Sequence, residues 1–131
     1  MVTRMIPAAC VAFCLSSSVS LAGTFDCKIA TSGEAQGWIA QEIKVEHGEK
    51  VFVTDDIILY TAQKAVEGKL SRENANVIVF TWEVRSKDIT NQEVRMTYRL
   101  TVQKANGAAQ ISATPLGYAN SFMAQGACTT A

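Results

Sequence analysis

Histidine is almost absent from this sequence: His47 is the single one among 131 residues. It sits beside Gly48 between two strand-like segments, where an exposed turn residue is the natural reading. Without a second histidine a typical zinc or copper site has no ligand set. A serine-nucleophile triad would have to take that one turn residue as its base, and no serine stands in a nucleophile elbow. Neither G-x-G-x-x-G nor G-x-x-x-x-G-K-[ST] occurs, so no recognised phosphate cradle is present. Twelve Lys plus Arg offset 12 Asp plus Glu with no basic cluster, which argues against nucleic acid as a partner. Asp55 and Asp56 are the only adjacent carboxylates. On a strand they would point to opposite faces, no calcium-type loop follows them, and a solvated turn is the expected setting. These absences leave no catalytic residue, no metal site and no cofactor, and the protein is not expected to be an enzyme.

What is present begins with the N-terminus. Arg4 is the only charge before Gly23, "MIPAACVAFCL" (Met5 to Leu15) is an apolar run too short to span a bilayer, and "SSSVSLA" follows. Ser20 and Ala22 are the small residues a signal peptidase prefers, so residues 1–22 read as a secretory signal cleaved after Ala22. A lipoprotein signal does not fit, because bulky Phe13 precedes Cys14 and Cys10 comes too early. The remainder, 23–131, suits a single domain, periplasmic or secreted, with no interior run long enough to cross a membrane. Of the four cysteines, Cys10 and Cys14 leave with the signal. Cys27 and Cys128 remain, and an oxidising compartment favours one disulfide between them over two free thiols. Such a bridge encloses nearly the whole mature chain, and a loop of that size corresponds to at most about 4 to 5 kcal/mol in the chain-entropy account.

Period-two patterning dominates the second half. Val94, Met96, Tyr98, Leu100 and Val102 alternate with Arg95, Thr97, Arg99, Thr101 and Gln103, a half-buried strand with one wet face. Ile78, Phe80, Trp82 and Val84 share one face of the preceding segment, and the polar "RSKDITNQE" makes the two a hairpin. Pairing Val84 with Val94 sets Trp82 against Met96 and Phe80 against Tyr98. A one-residue slip would turn the apolar set outward, so parity is better determined than register. Asn106-Gly107 signals a type I′ turn into a third strand, with Val102 facing Ile111 and Leu100 facing Ala113. In the first half, "TFDCKIA", "WIAQEIKVE", "KVFVTD" and "IILYT" (Ile57 to Thr61) read as strands. Across Lys64 to Leu70 a strand is preferred to a helix, which Gly68 would weaken by about 1 kcal/mol. The expected fold is all-β, a small antiparallel up-and-down barrel or sandwich of about seven to eight strands.

Candidate binding residues lie in two places, the first being the two faces of the strands. Trp38, Tyr60, Phe80, Trp82 and Tyr98 are a possible pocket lining, although inward aromatics on strands are more often plain core. On the wet face, Arg95 and Arg99 are candidates for meeting an acidic partner or an anionic glycan. The second place is "TPLGYANSFMAQGAC" (Thr114 to Cys128), which carries no charge. Tyr118 and Phe122 are expected to anchor it against the sheet as a closing strand, with Asn120 and Ser121 as the exposed recognition element between them. The combination of "FTWEVR", "MTYRLTV", "PLGYANSF" and a following "GAC", behind an early "TFDC", resembles a group of small, exported, uncharacterised proteobacterial β-domain proteins. That resemblance implies an architecture and a terminal disulfide, and no activity. The expected function is an exported non-enzymatic binding module for a protein or cell-envelope surface. A lysozyme-inhibitor-like role is one form of it, by likeness of architecture alone. The alternative is a lipocalin-like carrier of a small apolar ligand.

Overall fold

The computed structural model describes residues 23–87, 90–118 and 120–130; the expected signal segment, 1–22, lies outside them. The strands are β1 (Gly23–Ala30), β2 (Glu42–His47), β3 (Val51–Asp55), β4 (Val66–Glu73), β5 (Val77–Lys87), β6 (Glu93–Gln103), β7 (Ala108–Pro115) and β8 (Phe122–Thr130). A 3-10 turn, Gly33–Ala35, lies between β1 and β2, and one helix, α1 (Asp56–Ala62), lies between β3 and β4. Each strand pairs antiparallel with the next and β8 pairs back onto β1, closing an eight-stranded up-and-down barrel. The all-β expectation therefore resolves to a barrel rather than a sandwich. Closure removes the unpaired strand edges that an open sheet would leave.

The period-two pattern explains the interior. Ile78, Phe80, Trp82 and Val84 of β5 and Met96, Tyr98, Leu100 and Val102 of β6 are all buried in one core cluster. The buried aromatics Phe80, Trp82 and Tyr98 come from these two strands, while β7, β8 and β1 contribute Ala109, Ile111, Ala113, Ala124, Cys128, Cys27 and Ile29. A barrel this narrow is filled by large residues from one side meeting smaller ones on the other. The outer positions of β6 carry Arg95, Thr97 and Arg99, all exposed. Apolar residues inside and polar ones outside is the reverse of a membrane-spanning barrel. No helix among the described residues is long and apolar enough to cross a membrane.

Register differs from the trial pairing by two residues while keeping its parity. Trp82 faces Tyr98, Val84 faces Met96 and Ser86 faces Val94, so the hairpin closes further out, at Lys87 and Glu93. The third strand shows the same shift: Val102 faces Ala109 and Leu100 faces Ile111. The cause is visible at the turn. Gly107 has φ +74°, but Asn106 is not in the positive-φ region, so this is not a type I′ turn. The Gly107 N–H reaches the Gln103 carbonyl at 2.8 Å, and Asn106 Oδ1 accepts from the Ala108 N–H at 3.0 Å. A longer loop closed by an Asx-type bond replaces the two-residue turn.

Two further expectations are corrected. Ile57 to Thr61 form helix α1 rather than a strand, because Asp55 caps it: Asp55 Oδ1 accepts from the Ile58 N–H at 2.7 Å. Helical spacing buries Ile58, leaves Leu59 and Tyr60 outside, and lets the Thr61 hydroxyl donate to the Ile57 carbonyl at 2.8 Å. Gln63, in the left-handed region at φ 64°, ends the helix. Asp55 is accordingly a buried cap and not part of a solvated turn. His47 is also not an exposed turn residue: it faces inward at the end of β2, stacked on Phe25 at 5.3 Å and tilted against Phe80 at 5.5 Å. The preference for a strand after Lys64 is met by β4, which carries a bulge between Leu70 and Arg72.

The seam between β1 and β8 is tight. Cys27 and Cys128 are paired directly and joined by a disulfide, with Cα atoms 3.9 Å apart. A Cβ on Gly126 would lie 2.0 Å from the Lys28 carbonyl oxygen, so only glycine permits this approach. At Gly107 a Cβ would lie 2.3 Å from the Cys128 carbonyl oxygen, and the Cys128 N–H donates to the Gly107 carbonyl at 2.8 Å. The β6–β7 turn is thus held against the same seam.

Candidate functional site

The two ends of the barrel are built differently. At one end the connections are short turns tied to each other: the Lys104 N–H donates to the Asn76 carbonyl at 2.9 Å and Lys104 Nζ pairs with Glu73 at 2.8 Å. Phe25, His47 and Phe80 pack together beneath them, Phe25 stacked on His47 and edge-on to Phe80. At the other end lie the long β1–β2 connection (31–41), helix α1, and the β5–β6 and β7–β8 connections. Function in small barrels concentrates where loops, not tight turns, cover the mouth.

Trp38 is the best-supported side chain at this loop end. Its ring stacks on Phe122 at 5.6 Å with the planes 11° apart, and its backbone carbonyl accepts from the Tyr98 hydroxyl at 2.6 Å. The residue nevertheless remains 36 % exposed. Tyr60, on α1, is 88 % exposed. Trp38 and Tyr60 line one open cleft of about 320 Å³ together with Asp56, Thr61, Ser86 and Lys87. Val84, Met96 and Tyr98, all buried core residues, form its floor. Of the larger hollows, one is bounded by Asp26, Lys28, Glu42 and Lys44, one lies at the turn end beside Phe25, Gly107 and Thr130, and one adjoins the cleft, sharing Tyr60, Thr61, Ser86 and Lys87 with it and adding Arg85 and Glu93.

Burial shapes the polar groups under the cleft. Asp55 is raised above the usual carboxylate range, first by burial and further by the charge of Asp56, while the N–H groups of Ile58 and Ile57 oppose the shift. Tyr98 is also raised, by burial and by the Asp55 charge, so its hydroxyl stays protonated and remains a donor to Trp38. Trp82 stacks on Tyr98 at 5.5 Å. Among the described residues no three His, Cys, Asp or Glu side chains converge as a metal-binding set.

No known protein family, curated protein or solved structure matches this chain.

The residues singled out from the sequence fall into three groups. Phe122 is an anchor, starting β8 and supporting Trp38, but Tyr118 is not: it is 68 % exposed and belongs with exposed Asn120 on the β7–β8 connection. Ser121 is held locally, its hydroxyl 2.8 Å from that of Thr114. Arg95 and Arg99 stand on the outer wall. Arg95 lies 3.7 Å from Glu83, which also lies 3.6 Å from Arg85, so its charge is already offset; the Arg95 carbonyl accepts from the Leu116 N–H at 2.8 Å and steadies the base of the loop. Arg99 is further from the mouth, opposite Thr81 and Ser112. Of the five possible pocket aromatics, Phe80 and Trp82 are core, Tyr98 is at the cleft floor, and Trp38 and Tyr60 are at its rim. Asp56, expected in a solvated turn as one of an adjacent carboxylate pair, lines the cleft instead, and Ser86 carries no sequence signal for a site; the fold alone brings them there.

Proposed function

We propose that the protein is an exported, non-enzymatic binding module that meets a protein or cell-envelope surface through the loop end of its barrel. The observation that carries this reading is that the most exposed apolar side chains are there, Tyr60 at 88 %, Tyr118 at 68 % and Leu116 at 62 %, with Leu59 at 47 %, while Met123, Leu70 and Phe52 are the exposed ones on the strands. Large apolar side chains held in water on a barrel with a well-filled interior favour a contact surface. Export to the periplasm or beyond is supported by the signal-like N-terminus and by the Cys27–Cys128 bridge. The filled interior, with Phe80 and Leu100 fully buried, favours this reading over an internal carrier of an apolar ligand. A lysozyme-inhibitor-like role is one form of it, and undiminished lysozyme activity in the presence of the protein would remove that form.

The test is retention on isolated cell envelopes. Tyr60→Ser with Tyr118→Ser is expected to weaken retention about tenfold or more, while Lys50→Ser at the turn end leaves it unchanged. Equal retention of all three proteins would overturn the reading.

A further inference from the structure

We propose that the cleft between Trp38 and Tyr60 binds a neutral glycan whose rings carry equatorial substituents, as in β-linked chains of glucose or N-acetylglucosamine; this rests on reading the loop end as the binding surface. Such rings present flat C–H faces with a belt of hydroxyls at their edges. The complementary site is an aromatic face to pack against and polar groups around it. Trp38 supplies the fixed face. Phe122 covers one side of its ring at 5.6 Å, the Tyr98 hydroxyl grips its carbonyl at 2.6 Å, and the residue, only partly exposed, lines the cleft. Little ordering is then required of Trp38 when a ligand arrives. Tyr60 lines the same cleft and, at 88 % exposed, has the room to pack against a bound ring.

The rim selects against other classes. Asp56 offers acceptors, Lys87 donors, and Ser86 a hydroxyl that does both. A purely apolar ligand would strip water from Asp56 and Lys87 and return no hydrogen bond. A strongly anionic or cationic ligand would meet one charge of its own sign, because the two rim charges oppose each other. The volume of about 320 Å³ is at the small end of ligand sites, suited to a short stretch of a chain passing through an open groove rather than to a folded protein surface.

The experiment titrates isotope-labelled protein with the β-linked tetrasaccharides of glucose and of N-acetylglucosamine, with a tetramer of galacturonic acid as the charged comparison. Saturable shifts at the Trp38 indole, Tyr60, Ser86 and Lys87 with a neutral tetramer are expected. Tyr60→Ala, on an exposed position that leaves the core intact, should weaken that binding about tenfold, and Lys87→Met should weaken it by a smaller factor. No saturable shift with either neutral tetramer, equal binding by Tyr60→Ala, or binding of the acidic tetramer as tight as the neutral ones would overturn the proposal. Envelope retention separates this from the broader reading. If Tyr60→Ala loses retention while neither neutral tetramer binds, the glycan falls and the binding surface stands; if retention is unaffected and neither binds, both fall.

Discussion

Burial at Asp55 works against the charge that its capping role uses. The carboxylate accepts from the Ile58 N–H at 2.7 Å, yet its pKa is raised, with burial the largest cause. A carboxyl raised in the folded state holds its proton more tightly there than in the unfolded chain. The stability this contributes is fully present below the unfolded pKa of about 4 and is lost as pH rises through the folded value. Asp55→Asn keeps an oxygen in the capping position and removes the ionisation. It is therefore expected to be more stable than the parent at neutral pH, with the difference shrinking as pH falls through the folded value and gone below about pH 4. Asp55→Ala removes the acceptor as well and should fall below Asp55→Asn by about 1 kcal/mol at every pH. Urea unfolding of the three proteins from acid to neutral pH checks this, and parallel pH profiles for Asp55→Asn and the parent would contradict it. Because α1 carries Tyr60, the cap also sets how firmly one side of the cleft is held.

Among the elements, the β1–β8 seam tolerates least change. Gly126→Ala would place a methyl 2.0 Å from the Lys28 carbonyl oxygen and 2.8 Å from the Ile29 Cα, and these are backbone atoms of a paired strand that cannot rotate away. A loss of about 3 kcal/mol is expected, the upper part of the overpacking range, and denaturant unfolding measures it. A loss under about 1 kcal/mol would mean that the seam yields. Strands were the legible elements because their signal is periodic. Ile78 to Val84 and Val94 to Val102 show which face is buried, and that settles parity; register depends on where each loop closes, which the apolar pattern does not encode. Helix α1 was missed because Ile57, Ile58, Tyr60 and Thr61 are strand-favouring residues, and the cap at Asp55 outweighs them. The cleft was legible only in part. Trp38 and Tyr60 stood out as aromatics, but they are brought to one mouth by the β1–β2 connection and α1, and nothing local in either segment specifies the other.

At the scale of the whole molecule, the barrel is asymmetric. One end is short turns bound to each other and to the disulfide-linked seam, with Phe25, His47 and Phe80 packed inside. The other carries the longer connections, the helix and the most exposed apolar side chains, Tyr60, Tyr118 and Leu116. Closure of β8 on β1 in direct register at Cys27 and Cys128 lets a small domain keep a rigid wall while its loops are given over to contact. The uncharged Thr114 to Cys128 segment has both roles: β8 closes the barrel, while Leu116, Tyr118 and Asn120 extend the exposed mouth. The most direct measurement is amide chemical-shift mapping of isotope-labelled protein as detergent-solubilised cell envelope is added. Perturbations at Trp38, Asp56 to Thr61, Ser86, Lys87 and the 116–122 loop, with His47 to Lys50 and the 104–107 turn unchanged, are the predicted result. Perturbations centred on those turns, or none at saturating envelope, would contradict a binding surface at the loop end.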